Sequence, residues 1–340
     1  MADQNKLFAV LTTIQAPTEP AISLAQSLRE IDGHMIVVGD QKGPSGFALK
    51  GVDFFSLRKQ LGLDLNLLRE LPTGHYARKN IGYLVAAARG ASCIYETDDD
   101  NAPQNGWYPR EETVAALAIT AKDWVNVYRC FSDDKIWPRG FPLSAVRDSF
   151  SRNLDISAET AIVQAPIQQG LVNHSPDVDA VWRLVFGQPF VFRQGPSLIL
   201  RPGAWCPFNS QSTWWFPVAY PLMYLPSHCS FRMTDIWRSF IAQRCLWELD
   251  LGIIFHAPEV VQFRNAHDSM VDFEDELPGY RRNGEMATIL DGLALSKGAE
   301  AVRANMHLCY EALVAARFFP TQELDLVEAW LEDLEATGSR

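Results

Sequence analysis

No run of ~18 uninterrupted apolar residues occurs in this 340-residue chain, so no membrane-spanning helix is expected. The opening residues, MADQNKLFAVL, carry no basic region followed by a long apolar stretch. No signal peptide is expected, and a cytoplasmic chain is. Also missing are a glycine-rich loop of the P-loop or dinucleotide type, a G-x-S-x-G elbow, and a Cys/His pair set for nucleophilic chemistry. The six cysteines (Cys93, Cys130, Cys206, Cys229, Cys245 and Cys309) have no zinc-ligand spacing. They lie in apolar or mixed surroundings and read as reduced, buried thiols of a cytosolic protein. No internal repeat or low-complexity linker divides the chain. Positive charge is scarce: Lys and Arg number 30 against 41 Asp and Glu, a net charge of -11. That balance speaks against a nucleic-acid partner, which needs a basic footprint.

What is present fits a globular protein: 47% of residues are hydrophobic and 11% aromatic. Ten tryptophans serve either as core or as stacking platforms for sugars. Segment 214–226 (WWFPVAYPLMYLP) is very apolar, but short and broken by prolines. It reads as buried or acceptor-facing, with peripheral membrane contact left open.

Short apolar runs at 7–14, 35–39, 52–55 and 92–96 read as strands. Helical spacing marks 19–31, 56–61, 64–70 and 76–89, the last closed by Gly90. This alternation predicts an α/β fold: an open, mostly parallel sheet flanked by helices. Further along, 112–123 reads as helix, 124–131 as strand and 198–200 as a short strand. Helices are expected at 234–249, 285–296, 299–315 and 321–336. One catalytic unit over 1–280 is expected, with a helical subdomain over 281–340 packed on it.

Open parallel sheets bind ligands at the carboxyl ends of their strands. Three polar groups fall there: Thr12-Thr13, Asp40, and Asp98-Asp99-Asp100. Three adjacent carboxylates repel one another and cannot be packed as core. A hard divalent cation solves this by binding their oxygens and bridging to a diphosphate; a solvated acidic turn is the alternative. Arg78, Lys79 and Asn80 open the preceding helix, a setting that suits an anion. Asp177, Asp179 and Arg183 form a second polar patch, suited to sugar or acceptor hydroxyls or to a surface ion pair. In helix 234–249, Asp235 sits in the first turn, where its ionised form is favoured. It is the candidate base for an acceptor hydroxyl, with Arg238, Gln243, Arg244 and Trp247 on the same helix. His267, among the acids of 262–279, is a candidate metal ligand or a structural histidine.

Seven stretches together resemble the STELLO-type glycosyltransferases. They are VVGDQKGP (37–44), RKNIGYLVAAARGASCIYETDDD (78–100), WPRGFPL (137–143), PDVDAVWRL (176–184), FNSQST (208–213), TDIWRSFIAQRCLWEL (234–249) and QFRNAHDSMVDFEDELPGY (262–280). RKNIGYL followed by a strand and an acidic run is also similar to the plant reversibly glycosylated polypeptides, which are UDP-arabinopyranose mutases. The resemblance implies a GT-A fold and nucleotide-sugar chemistry of a hexosyl- or pentosyltransferase, with Mn²⁺ or Mg²⁺. It implies Thr12 and Asp40 on the nucleotide and Asp98 to Asp100 around the metal; Thr13, Lys42, Arg78, Asn80, Asp98 and Asp99 are further expected nucleotide-binding residues, and Asp98, Asp100 and His267 the expected metal ligands. Arg139 joins Asp177, Asp179 and Arg183 on the acceptor side, as do segments 137–143 and 205–226. Asp235 with Gln243, Arg244 and Trp247 resembles a shortened base-plus-QxxRW arrangement of processive inverting transferases. The implied partners are a donor, with a UDP-sugar favoured, and a glycan or lipid-linked acceptor. A nucleotide-sugar mutase and a non-catalytic scaffold are the rival readings.

Overall fold

The computed structural model describes residues 6–187, 189–264 and 268–338. In chain order the strands are β1 (Leu7–Thr13), β2 (His34–Gly39), β3 (Val52–Phe55), β4 (Cys93–Thr97), β5 (Asn101–Pro103), β6 (Thr113–Thr120), β7 (Asp155–Ile156), β8 (Ala161–Gln164), β9 (Ile167–Asn173), β10 (Leu198–Leu200), β11 (Ser212–Trp215) and β12 (Ile253–Gln262). The helices are α1 (Glu19–Glu30), α2 (Leu57–Gln60), α3 (Lys79–Ala88), α4 (Leu143–Ser149), α5 (Ala180–Val185), α6 (Thr234–Trp247), α7 (Ser269–Asp291), α8 (Val302–Ala315) and α9 (Gln322–Ala336).

Successive side chains of a strand point to opposite faces, and here both faces are apolar. Phe8, Val10, Ile36 and Val38 enter one core, while Leu7, Ala9, Leu11, Met35 and Val37 enter another. Strands buried on both faces need a helix on each. α3 covers the first face through Ile81 and Leu84, and α1 covers the second through Ala21, Leu24 and Leu28. Thr18 caps α1 by accepting from the Ala21 N–H, and Pro20 stands in the first turn. Gly90 ends α3 at a φ of 75°, the left-handed position that glycine takes without strain.

α3 lies unusually close to the sheet. A methyl on Gly82 would stand 2.4 Å from a Val10 methyl and 3.0 Å from one of Val38. Alanine normally favours a helix over glycine, but here overpacking outweighs that gain. Gly82→Ala should cost about 1–3 kcal/mol, read from the urea unfolding midpoint; a stabilised variant would contradict this packing.

The sheet runs β3-β2-β1-β4-β11-β9-β12-β10-β6-β7, with β5 on β12 and β8 on β6. β3, β2, β1 and β4 are mutually parallel. β11 enters antiparallel between β4 and β9. β9 pairs parallel with β12, and β10 parallel with β6. This open mixed sheet with flanking helices is the α/β architecture expected, consistent with a GT-A-like fold. The carboxyl ends of β1, β2 and β4 carry Thr12-Thr13, Asp40 and Asp98 to Asp100 along one edge.

Two local expectations are overturned. Residues 112–123, read as helix, hold β6: the alanines at 115, 116 and 118 gave the helical signal. The β-branched Thr113, Val114, Ile119 and Thr120 instead enter strand pairing. Residues 124–131, read as strand, make a loop and a short 3₁₀ turn at Val127–Cys130, fastened by the Asn126 amide on Ile136 O at 2.8 Å. The helix expected at 285–296 is the end of the longer α7, which carries Pro278 within it, so position 280 falls inside a helix. The last helices are tied to the sheet half. Asp333 accepts from the N–H groups of Asn66 and Leu67 at 2.8 Å each, and buried Glu323 accepts from Tyr224 Oη at 2.6 Å. Among the described residues no helix is long and apolar enough to cross a membrane.

Candidate functional site

A cavity of about 480 Å³ opens at the carboxyl ends of β1, β2 and β4. Its lining brings together Thr12, Thr13, Asp40, Lys42, Arg78 and Asp98 to Asp100 from the first half of the chain. Arg139, Asp177, Arg183 and Asp235 join them from the second half.

The three aspartates occupy three environments. Asp98 Oδ1 accepts from Lys79 Nζ at 2.9 Å and from Tyr76 Oη at 2.7 Å. Asp99 accepts from the Thr13 hydroxyl, while its backbone carbonyl accepts from Thr18. Asp100 receives Gln262 Nε2 on both oxygens, at 3.2 and 3.0 Å. Burial, and then the charge of Asp98, pushes Asp100 up to about 7. Asp99 rises for the same two reasons, although the Thr13 bond opposes it. Among the described residues no three Asp, Glu, His or Cys side chains form a metal-holding group. His267 lies outside the described residues.

Asp40 fixes the part of the lining made by residues 74 and 75. Its Oδ1 accepts from Gly74 N at 2.8 Å and its Oδ2 from His75 N at 2.9 Å. His75 Nδ1 in turn accepts from Ala77 N at 3.0 Å, which leaves Nε2–H as the ring's donor. Arg78 spends its guanidinium on Gln60 Oε1 and on Leu71 O at 3.2 Å. The cation in contact with the acidic run is therefore Lys79.

The second half is organised by Arg139. Its guanidinium clamps Asp177 through two bonds of 2.7 and 2.8 Å and reaches Asp235 Oδ2 at 3.0 Å. Gly140 makes this approach possible. Its φ is 88°, and a methyl there would stand 2.4 Å from Ile236 of α6. Asp235 Oδ2 also accepts from Ser210 N and Oγ at 3.2 and 3.0 Å. Burial pushes the Asp235 carboxyl upward, but Arg139 and Arg238 outweigh it and hold the pKa below the usual range. Asp235 thus faces the cavity ionised. Ser210 Oγ also lies 2.7 Å from Tyr76 Oη, so a chain of polar contacts runs from Asp98 through Tyr76 and Ser210 to Asp235.

Six expected site residues do structural work elsewhere. Asn80 pins Leu225 through its backbone N–H and C=O, both at 2.9 Å. Arg238 is buried against Glu96 at 2.9 Å. Gln243 accepts from Cys206 N, and Trp247 packs on Trp205 with centroids 4.4 Å apart. Arg244 caps the end of α7 through Leu290 O and Leu293 O at 2.8 and 2.7 Å. Trp247, Gln243 and Arg244 therefore look away from the cavity, and their likeness to a QxxRW motif is one of spacing only. Of segment 205–226, Ser210 and Gln211 line the cavity, and of 137–143 only Arg139 does. The stretch 214–225 is almost wholly core.

The sixth, Asp179, caps α5 by accepting from Trp182 N at 2.8 Å and takes Trp137 Nε1 at 2.6 Å. Burial pushes it up to about 7. The folded chain therefore keeps a proton that an unfolded aspartate releases near ~4. This group's contribution is complete below that value and is lost as pH rises through about 7. Asp179→Asn should flatten the fall in urea midpoint between about pH 5 and pH 8; an unchanged slope would assign the titration elsewhere.

Sequence reasoning missed His75, Tyr76, Phe231, Arg232, Gln262 and Arg264, which also line the cavity, and gave Ser210 and Gln211 only as part of segment 205–226. Ser210, Gln211, Gln262 and Arg264 stand inside stretches already singled out. Tyr76 carried no signal, since its role rests on contacts with residues 22 and 134 positions away.

The family model of the STELLO glycosyltransferases matches residues 232–340. Two Arabidopsis thaliana proteins, named probable glycosyltransferases STELLO1 and STELLO2, are each 28% identical over 98% of this chain. The chain is similar to the STELLO glycosyltransferases. It spans 45% of the length of either plant STELLO protein. The part matched by the STELLO family model includes Arg232, Asp235, Gln262 and Arg264 of the cavity wall.

Proposed function

We propose that this chain is a glycosyltransferase that moves a sugar from a nucleoside diphosphate, with UDP favoured, to an acceptor hydroxyl. The observation that carries this reading is the gathering of three aspartates, Asp98 backed by buried Lys79, with Arg139 and Asp235 in the lining of one cavity at the parallel strand ends. Such strand ends are where nucleotides bind in open α/β sheets.

The donor set fits Mn²⁺ or Mg²⁺. It is all carboxylate oxygen, the donor type these cations take, although among the described residues no three Asp, Glu, His or Cys side chains stand together as a metal-holding group. Asp98 and Asp100 would hold the ion, which when bound supplies positive charge to the departing diphosphate. Lys79 holds the Asp98 carboxylate in place. Asp40 positions the 74–75 backbone, and His75, Thr12 and Lys42 face the nucleotide. Asp235, kept ionised, accepts the proton of the acceptor hydroxyl as the oxygen attacks the sugar, in a single inverting displacement. Its depressed pKa makes it a weak base, so correct placement has to supply much of the rate.

Thermal shift with UDP, GDP, CDP and CMP, each with and without Mn²⁺, tests the site, because a ligand of the folded state raises apparent stability. At a hundredfold excess over Kd the gain is about 2.7 kcal/mol, and it should need both nucleotide and cation. Four flat traces with Mn²⁺ would remove the reading. NMR of a UDP-sugar without acceptor separates transferase from mutase: ring interconversion of the donor alone would favour the mutase.

A further inference from the structure

Away from Asp98 to Asp100, three arginines enter the cavity lining. Arg183 of α5 stands with Arg232 and Arg264. Arg232 pairs with Glu276 at 2.6 Å, and Arg264 pairs with Asp272. Arg183 meets neutral oxygens, Ser175 Oγ at 3.1 Å and Pro176 O at 2.7 Å. Its buried Nε has no hydrogen-bond partner among the described residues. Burial, and then the charges of Arg264 and Arg232, lowers its pKa to about 9. Its own hydrogen bonds reach no carboxylate, although the charges of Asp177 and Asp272 act on it.

The same elements carry exposed apolar side chains. Leu184, Val185 and Phe186 end α5, with Val185 67% exposed. Phe263, 58% exposed, directly precedes Arg264, and Met270 and Val271 open α7. Contacts join them to the arginines. Phe263 meets the His174 ring at 6.2 Å, the next residue, Ser175, holds Arg183, and Phe186 packs on Trp182 at 5.4 Å. Exposed apolar patches of this kind mark interaction surfaces. Free phosphate would answer the arginines and leave the apolar residues in water. A neutral lipid would do the reverse.

We propose that the acceptor is carried on a lipid phosphate, with the phosphate held by Arg183 beside Arg264 and Arg232 and the apolar chain lying over Val185, Phe186 and Phe263. This rests on the transferase reading and names its acceptor class. The charge complement is that of guanidinium with phosphate, and the apolar side chains stand on the segments that carry Arg183 and Arg264 into the cavity lining.

The test is binding to the full chain of geranylgeranyl phosphate, geranylgeraniol and inorganic phosphate, followed by tryptophan fluorescence. The phosphorylated lipid should bind at least about tenfold tighter than either of the others. Arg183→Met and, separately, the surface change Val185→Asp should each weaken it about tenfold. Circular dichroism establishes that both variants fold, and Val185→Asp keeps the test open if Arg183→Met does not. Equal binding of the alcohol, as a general apolar surface would give, overturns the proposal. Equal binding of inorganic phosphate, or no effect of Val185→Asp, overturns it as well. UDP with Mn²⁺ is titrated into the same wild-type preparation: nucleotide binding without lipid-phosphate preference sinks this inference alone, while loss of both sinks the transferase reading too.

Discussion

Asparagine at both Asp98 and Asp100 is expected to reduce cation-dependent sugar transfer by at least about 10³-fold while leaving the fold intact. Asparagine is the informative replacement. Lys79 is fully buried and rests on Asp98, so alanine at 98 would strand an ammonium and confuse stability with chemistry. The amide keeps an oxygen for Lys79 and Tyr76 and removes only the charge. At position 100 an amide can still meet Gln262. The substitution relieves repulsion among three adjacent carboxylates but also removes the charge that pairs buried Lys79, so the change in unfolding midpoint is the difference of two opposed effects and is measured beside activity. A protein that loses activity without losing stability has lost a site. Measured turnover of a UDP-sugar, paired with urea unfolding, separates the two, and full activity in the double variant would overturn the roles given to these residues.

The second large effect lies in the core. Arg238→Met should destabilise the chain by about 3–5 kcal/mol, because it strands a buried charge. Glu96 and Arg238 are both buried beneath the sheet, their ion pair measuring 2.9 Å. Glu96 also accepts from Trp215 Nε1 at 2.9 Å and from the Tyr83 hydroxyl, and the guanidinium lies over the Trp215 ring at 4.9 Å. Without Arg238 the carboxylate keeps only neutral donors. Glu96→Gln with Arg238→Met should recover most of the loss, since a buried pair replaced whole costs far less than one broken. A double-mutant cycle by chemical denaturation gives the coupling. Additive losses would show that the two residues act separately.

Arg238 also shows how far the sequence could be read. Helix 234–249 was visible in its spacing, but which face met ligand was not. α6 is buried all round, so periodicity offers no inside and outside to separate. Asp235 and Arg238, three positions apart, therefore went to different places, one to the cavity and one to the core. The N-terminal half was legible because its strands are continuous apolar runs divided by amphipathic helices, which forces a parallel sheet. That brought Thr13, Asp40 and Asp98 to one edge. The second half was opaque for a physical reason: β9 and β12 hold Gln168, Gln169, His256 and Glu259 inside the core. Their polar groups are satisfied within the core, as in the His256–Gln168 contact at 2.9 Å and the Glu259 bonds to Ser212 and Trp214 at 2.8 Å. Such strands lack the apolar alternation that announces a strand. Tyr76 and Ser210 stayed hidden for a related reason, since only the folded chain sets them between Asp98 and Asp235.

A crystal structure of the chain with UDP and Mn²⁺ tests the central claim most directly. It should show the ion touching Asp98 or Asp100 on one side and diphosphate oxygens on the other, with the base near Thr12 and His75. Nucleotide bound elsewhere, or a diphosphate in the cavity with no ion between it and the aspartates, would contradict the account.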